Sequence, residues 1–227
     1  MTRPLAACVL LLLGTLAAAQ GPGSAPPPAG SGRPNGVFLI AKPDLLDPNF
    51  IRTVVLVTQT EDFSTVGVII NRPTTLKLSD FPSEEGVDTG KYRDRVFLGG
   101  PVMRHALVAV FQADTPPAAP AFHVLRKLYM TMHQDNMKEL LASTGRRYRL
   151  YAGFSGWAPR QLESEFIREG WLVLPADEEI VFRTETDGMW EELLQRAQAL
   201  KTRSGTVRPL PAYKTKGPAE GGAGMPG

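Results

Sequence analysis

The sequence predicts a strand-rich α+β domain. Three observations carry this. Short, β-branched apolar runs recur between Gly, Pro and Asn punctuation, one strongly amphipathic stripe stands near the end, and no regular strand–helix alternation links them. Val37–Ala41 and residues 53–58 and 66–70 are apolar almost throughout, the texture of buried strands, with Pro43 beyond the first and Asn71-Arg72-Pro73 stopping the third. Arg95–Leu98 is a fourth strand. It runs into Gly99-Gly100-Pro101-Val102, and residues 106–111 follow closely enough to be its antiparallel neighbour. A Pro/Ala loop ends that strand, and residues 122–125 and 128–132 again read as strands. Residues 135–142 read as a helix, because Met137, Leu140 and Leu141 share one face. Residues 148–154 return to strand. Pro159 suits the first position of a helix that carries Leu162 and Phe166 on one face and closes at Gly170. Residues 171–174 and 180–183 read as short strands. In the last element Asp187 is the expected N-cap of a helix whose apolar stripe is Trp190, Leu193, Leu194 and Ala197.

The organisation follows from composition. Residues 5–16 form a greasy run behind Arg3, well short of the roughly 20 residues a spanning helix needs, and Ala17-Ala18-Ala19 offers small side chains for cleavage. Residues 1–19 are therefore expected to be a signal peptide cut near Ala19-Gln20, which makes the protein exported, periplasmic or secreted, with no membrane span in its mature form. Cys8 falls early in the apolar run and not behind it, and so is misplaced for lipidation. Its loss leaves a mature chain without cysteine, excluding disulfides and thiolate chemistry. Residues 20–34 read as a Gly/Pro/Ala linker, 35–200 as the domain, and 201–227 as a disordered basic tail. Of the formal net charge of +2, residues 201–227 contribute +4, so the rest of the chain stands at −2. A mildly acidic body argues against a nucleic-acid reader, which needs a basic face on the domain itself.

No catalytic or metal constellation emerges. Gly153-Phe154-Ser155-Gly156-Trp157 sits between an expected strand and helix, where a nucleophile elbow would lie, but the elbow needs glycine where Trp157 stands. No histidine follows His133, so the stretch reads as a tight turn with Trp157 as a packing anchor. His105, His123 and His133 lack metal-ligand spacing. Glu163, Glu165 and Glu169 crowd one short helix and are expected on its solvated flank. Gly99 and Gly100 could present amides to an anion or form a turn with positive φ. Asn71 and Arg72 could present a guanidinium to an acidic ligand, or cap a strand end with Arg72 paired to a nearby carboxylate. No phosphate-loop or dinucleotide pattern is present, and no cofactor is expected.

These blocks together resemble the YqgE/AlgH family of bacterial proteins. The resemblance rests on residues 36–41 with Pro43, then Asp47-Pro48-Asn49-Phe50 with Arg52-Thr53-Val54, Gly67 through Asn71-Arg72-Pro73, Gly99-Gly100-Pro101-Val102, and Gly153 through Trp157 with Gln161-Leu162 and Trp171. It implies an α+β fold whose bent, bifurcated sheet closes into a pseudo-barrel. It also marks Asn71, Arg72, Gly99, Gly100, Gly153, Gly156, Trp157 and Gln161 as candidate binding residues. Phe154, Ser155, Ala158 and Arg160 depart from the family's usual Tyr, Ala, Gly and Gly, and the segment 61–65 departs from an acidic, often His-containing one. The family has no established activity, and one branch carries a regulator label. The expectation is an exported, non-enzymatic module that binds an unknown protein or small ligand at the Gly99 and Gly153 loops. The alternatives are a cytoplasmic regulator, as that label implies, and a hydrolase using Ser155 or the glutamate-rich helix.

Overall fold

The computed structural model describes residues 34–82, 88–168 and 170–204. The expected leader, nearly all of the linker and the tail beyond Ser204 lie outside these residues. The chain runs β1 (Val37–Ala41), β2 (Val54–Gln59), β3 (Thr65–Ile69), β4 (Pro73–Lys77), β5 (Arg95–Leu98), β6 (Val102–Gln112), β7 (Phe122–His123) and β8 (Leu128–Thr131). It continues through α1 (Gln134–Ala142), β9 (Tyr148–Trp157), α2 (Gln161–Ile167), β10 (Trp171–Pro175), α3 (Glu178–Val181) and α4 (Met189–Ser204). Strand order is β10-β1-β2-β3-β9-β6-β8-β7, and β4 and β5 form a side branch on β9. The result is one strand-rich domain whose sheet curls into a half-barrel with a few short helices.

The fully apolar strands have a physical reason: both faces of the sheet are covered, so both sets of alternating side chains are buried. Phe38 and Ile40 of β1 join Leu56, Val68 and Tyr151 in a core closed by Ile180, Val181, Trp190 and Leu193 of α3 and α4. Leu39 and Ala41 face the other way, into a cluster with Val55, Ile69, Trp157 and Leu162 of α2. Further along that side, Val96, Phe111 and Leu150 pack under Met137 and Leu140 of α1. Helix α4 is also pinned to the end of β1, because the Trp190 indole donates to the Ala41 carbonyl at 2.7 Å.

The sheet forks on β9. Residues of β5 pair with Leu150, Tyr151 and Ala152, while β3 pairs with Ser155, Gly156 and Trp157. Between them stands Gly153 at φ +68°. So Gly153–Trp157 is not a turn between strand and helix, as its small residues implied. It is the second half of a bent strand.

Other expectations change in ways that share a cause. The strands β5 and β6 are not neighbours: β9 lies between them, parallel to β5 and antiparallel to β6. Sequence proximity favoured a hairpin, but a strand from some fifty residues downstream, an order-of-magnitude separation typical of non-local pairing, takes the position. Asn71-Arg72-Pro73 follows the end of β3, as expected, but Pro73 also opens a further strand, β4, on the branch where a missing N–H is tolerated. Residues 180–183, expected as a strand, form none: Ile180 and Val181 end α3 and Phe182 is its C-cap, because the Asp177 carboxylate accepts from the amides of Glu179 and Ile180 and starts a helix there. Pro159 lies outside α2, whose N-cap is Arg160 at φ +66°. Residue 160 is a position where the family resemblance leads one to expect glycine, the residue that suits this left-handed conformation. At α4 the first helical residue is Met189, with Gly188 at φ +73° between it and Asp187.

One core group stands out. The Tyr151 side chain is fully buried, and among the described residues no group stands in good hydrogen-bond geometry to its hydroxyl, the Arg149 guanidinium being near but poorly placed. Burial pushes its pKa up to about 12, against a smaller opposing effect of Arg149. Removing the hydroxyl relieves an unsatisfied polar atom, so Tyr151→Phe is expected to match or exceed the parent stability at neutral pH, by up to about 1 kcal/mol. The folded state favours the protonated phenol. Its contribution is therefore complete below pH 10.0 and lost as pH rises toward about 12. Urea melts across that window should show the loss attenuated in the Phe variant.

Candidate functional site

The distinctive residues gather where β5 passes to β6. Those two strands lie on opposite edges of β9, so the short connection must step across it. It does so backbone on backbone. A Cβ on Gly99 would lie 2.2 Å from the Gly153 carbonyl oxygen, and one on Gly100 would lie 2.3 Å from the Phe154 backbone. From the other side, a Cβ on Gly153 would meet Val102 O at 2.6 Å and the Arg104 Cα at 3.1 Å. Neither Gly99 nor Gly100 has positive φ, so the crossing explains them and a turn does not. The Gly99 amide donates to Ala152 O at 2.9 Å, which removes it as an anion donor. Ser155 is buried in the same crossing and donates to Gly99 O at 3.2 Å. Its hydroxyl is structural.

Asn71 and Arg72 hold the loop between β1 and β2. The Asn71 amide accepts from Val54 N at 2.9 Å and donates to Arg52 O at 3.0 Å. Arg72 is half-buried and donates from Nη1 to Asn49 O at 2.7 Å and from Nη2 to Ile51 O at 3.1 Å. Its pKa is held below the usual guanidinium range first by burial, then by the like charge of Arg104, with Asp47 opposing. Arg104, on the exposed bulge of β6, donates from Nη2 to the Asn49 side-chain oxygen at 3.2 Å. The Asp47 carboxylate in turn accepts from both the backbone and side-chain nitrogens of Asn49. Arg52 (φ 55°) and Met103 (φ 45°) sit in left-handed backbone on the two segments this network joins. Arg52 pairs with Glu191 and lies over the Trp190 ring.

The remaining candidates lie at the far end of β9. Trp157 is buried, stacks on Phe50 at 5.6 Å and meets Trp171 edge-on at 6.2 Å. Glu165 is not on a solvated flank: its Oε2 accepts from the Trp157 indole at 3.1 Å and the Trp171 indole at 2.8 Å. Glu163 is exposed, and Glu169 lies outside the described residues. Gln161 is exposed and its side-chain oxygen accepts from Ala158 N. A Cβ on Gly156 would press on a Phe154 ring carbon at 3.3 Å, a tight contact that a small shift of that ring would have to relieve. Phe50 joins the two groups, since it closes the loop clamped by Arg72 and packs on Trp157. The candidate residues therefore fall into a polar loop clamp, a glycine crossing beside it, and an aromatic base. Asn49, Arg104 and Met103 belong to the clamp; Asn49 lies in a block of the family resemblance but is not among its candidate residues, and Arg104 and Met103 lie in no such block.

The histidines are scattered. His123 stacks on Tyr129 at 4.7 Å, His133 accepts from Asp135 N at the start of α1, and His105 is exposed on the bulge. Among the described residues no three His, Cys, Asp or Glu side chains come together to hold a metal. A cleft of about 740 Å³ lies elsewhere, between the Pro/Ala loop, α1 and the start of β9. Its cations are already matched: Lys127 with Asp114, Arg146 with Glu139 and Arg147 with Glu179. Among the described residues no helix is long and apolar enough to cross a membrane.

The molecule is thus a half-barrel α+β domain whose distinctive residues serve a backbone crossing and a clamped loop. The chain belongs to the AlgH-like family, whose model matches residues 38–200. It is 33% identical over 160 residues to a UPF0301 protein of Myxococcus xanthus, covering 70% of this chain and 87% of that one. A UPF0301 protein of Thermobifida fusca is 34% identical over 170 residues, covering 71% and 85%. The solution structure of AlgH from Pseudomonas aeruginosa superposes with a TM-score of 0.56 at 27% identity, covering 77% of this chain and 95% of that one. A crystal structure from Corynebacterium diphtheriae shares the fold, with a TM-score of 0.56 at 22% identity, covering 79% and 90%. The family's function is uncharacterised.

Proposed function

We propose that this chain is an exported, non-enzymatic module that captures a protein partner on the face formed by the Asp47–Arg52 loop and the β6 bulge. One observation carries the reading. Leu46, Ile51 and Met103 are exposed at 87%, 46% and 63%, on two segments that Asn49 ties together through Arg72 and Arg104. Methionine and arginine are enriched at protein interfaces, and the backbone is held in the left-handed region at Met103 and at Arg52, next to Ile51. Export rests on the apolar leader and the small residues behind it. The hydrolase alternative loses support from Ser155, whose hydroxyl is buried and engaged. Trp157 supports the face from beneath and is itself buried, so it contributes through the loop and not by touching a partner.

A photoreactive side chain placed at Met103 should form a discrete crosslinked product in the envelope or medium fraction. The same group at Ile167, which is 83% exposed on α2, should not. Leu46→Ser should weaken the Met103 product several-fold, as expected when one anchor of about 1–2 kcal/mol is removed from an interface. Equal products at both positions, or recovery of the intact chain only from cytosol, would overturn the reading.

A further inference from the structure

Two of the arginines in the clamp are unlike most others that the fold immobilises. Arg52, Arg146, Arg147 and Arg183 each meet a carboxylate: Glu191, Glu139, Glu179 and Glu192 respectively. Arg72 and Arg104 hydrogen-bond only to neutral oxygens among the described residues, and both do so on one residue, Asn49. Each guanidinium has five N–H donors, and three in total are used here, which leaves most of them open. Two like charges held against the same amide residue repel each other; the pKa of Arg72 is lowered first by burial and then by this repulsion. Asp47 offsets part of this repulsion without a direct ion pair to either guanidinium among the described residues.

We propose that Arg72 and Arg104 form a binding site for a single carboxylate, presented by an acidic peptide segment of the partner. This rests on the partner-binding face described above and names its ligand chemistry. A guanidinium donates to a carboxylate through two parallel N–H groups, and Arg104, being exposed, has a free edge for that purpose. Local charge selects the class of anion. The two guanidiniums stand against Asp47, a net of one positive charge, which a carboxylate neutralises; a phosphate carrying nearly two negative charges would leave an excess. The flanking Leu46, Ile51 and Met103 would take apolar residues on either side of the acidic one.

The test uses the full chain and follows the Nε–H signals of Arg72 and Arg104 by ¹H–¹⁵N NMR. Four probes are added in turn: acetyl-Leu-Glu-Leu-amide, acetyl-Leu-Gln-Leu-amide, inorganic phosphate, and sodium chloride at matched ionic strength. The Glu peptide should produce a saturable shift at both arginines, and the Gln peptide should be about tenfold weaker, the scale of one charge-assisted hydrogen bond. Arg104→Gln should weaken the Glu peptide by a similar factor while the amide spectrum away from the bulge stays unchanged. Equal response to the Gln peptide, saturation by phosphate at lower concentration than the Glu peptide, or shifts reproduced by chloride would each overturn the carboxylate site. The two readings fail separately. Crosslinking at Met103 without a Glu-peptide response removes the carboxylate site and keeps the partner face; the reverse result removes the partner face and keeps the site.

Discussion

Gly153→Ala is expected to destabilise the domain by about 3 kcal/mol, the sum of left-handed strain on a Cβ-bearing residue and the cost of overpacking a tight contact. The residue bends β9 at φ +68°, and its added Cβ would lie 2.6 Å from Val102 O. Val102 O, Gly100 O and the Arg104 Cα are the three nearest atoms and cannot give way cheaply, because all are backbone: the Gly99–Arg104 step is held on one side by the Gly99 amide on Ala152 and on the other by the pairing of Val102 with Phe154. Gly145→Ala is the control. Its φ is +85°, yet nothing lies within 4 Å of an added Cβ, so it reports conformational strain alone, about 1–2 kcal/mol. Urea midpoints of the two variants, read at constant slope, separate strain from contact. Equal losses would show that the crossing is looser than its distances imply. A loss of 3 kcal/mol is large against a total stability of roughly 5–15 kcal/mol, so the variant should also melt some 10 °C lower.

Glu165→Ala should cost a comparable amount, about 3 kcal/mol, because it deprives two indole N–H groups of one shared charged acceptor. Trp157 and Trp171 are each 3% exposed and form one aromatic cluster with Phe50. Without Glu165 their donors stay in a site built to exclude water, so the loss is the desolvation of two unpaired donors as well as the bonds themselves. The carboxylate is only half-buried, which lowers the estimate toward 2 kcal/mol if solvent reaches the vacated space. Glu165→Gln keeps one oxygen that can accept both indoles and should recover most of the stability. Near-ultraviolet circular dichroism and tryptophan emission report the cluster directly. If Glu165→Ala leaves both the spectra and the midpoint unchanged, the glutamate is a surface group after all. The consequence reaches the proposed face, since Phe50 carries the mechanical link from this cluster to the loop that Arg72 clamps.

Some of this was readable without coordinates. The runs that became β1, β2 and β3 were legible because burial on both faces forces nearly every side chain to be apolar, a pattern that survives in any register. The stripe of α4 was legible for the opposite reason, one face buried and the rest wet. Residues 180–183 misled because Ile180, Val181 and Phe182 have strand texture, whereas the deciding contact is the Asp177 carboxylate on two amides. Glu165 misled in the same way: its helix position said exposed flank, and the two tryptophans that claim it come from different strands.

The candidate site shows the division most clearly. Gly99, Gly100, Gly153, Asn71 and Arg72 stood out as motif residues, and the family membership and α+β class follow from such blocks together with the apolar runs. Those are properties of local composition: a glycine announces that some space or some φ is needed, and an apolar run announces burial. What the glycines accommodate is set by a strand inserted from a distant part of the chain, which turned an expected turn into a crossing of backbones. Asn49 and Arg104 meet only because that crossing carries the β6 bulge against the loop before β2. Contacts between segments far apart in sequence leave no periodicity and no spacing behind, because their energy depends on pairing and not on what each residue is alone. The elements were therefore the sequence's to declare, and the partnerships among them belonged to the folded sheet.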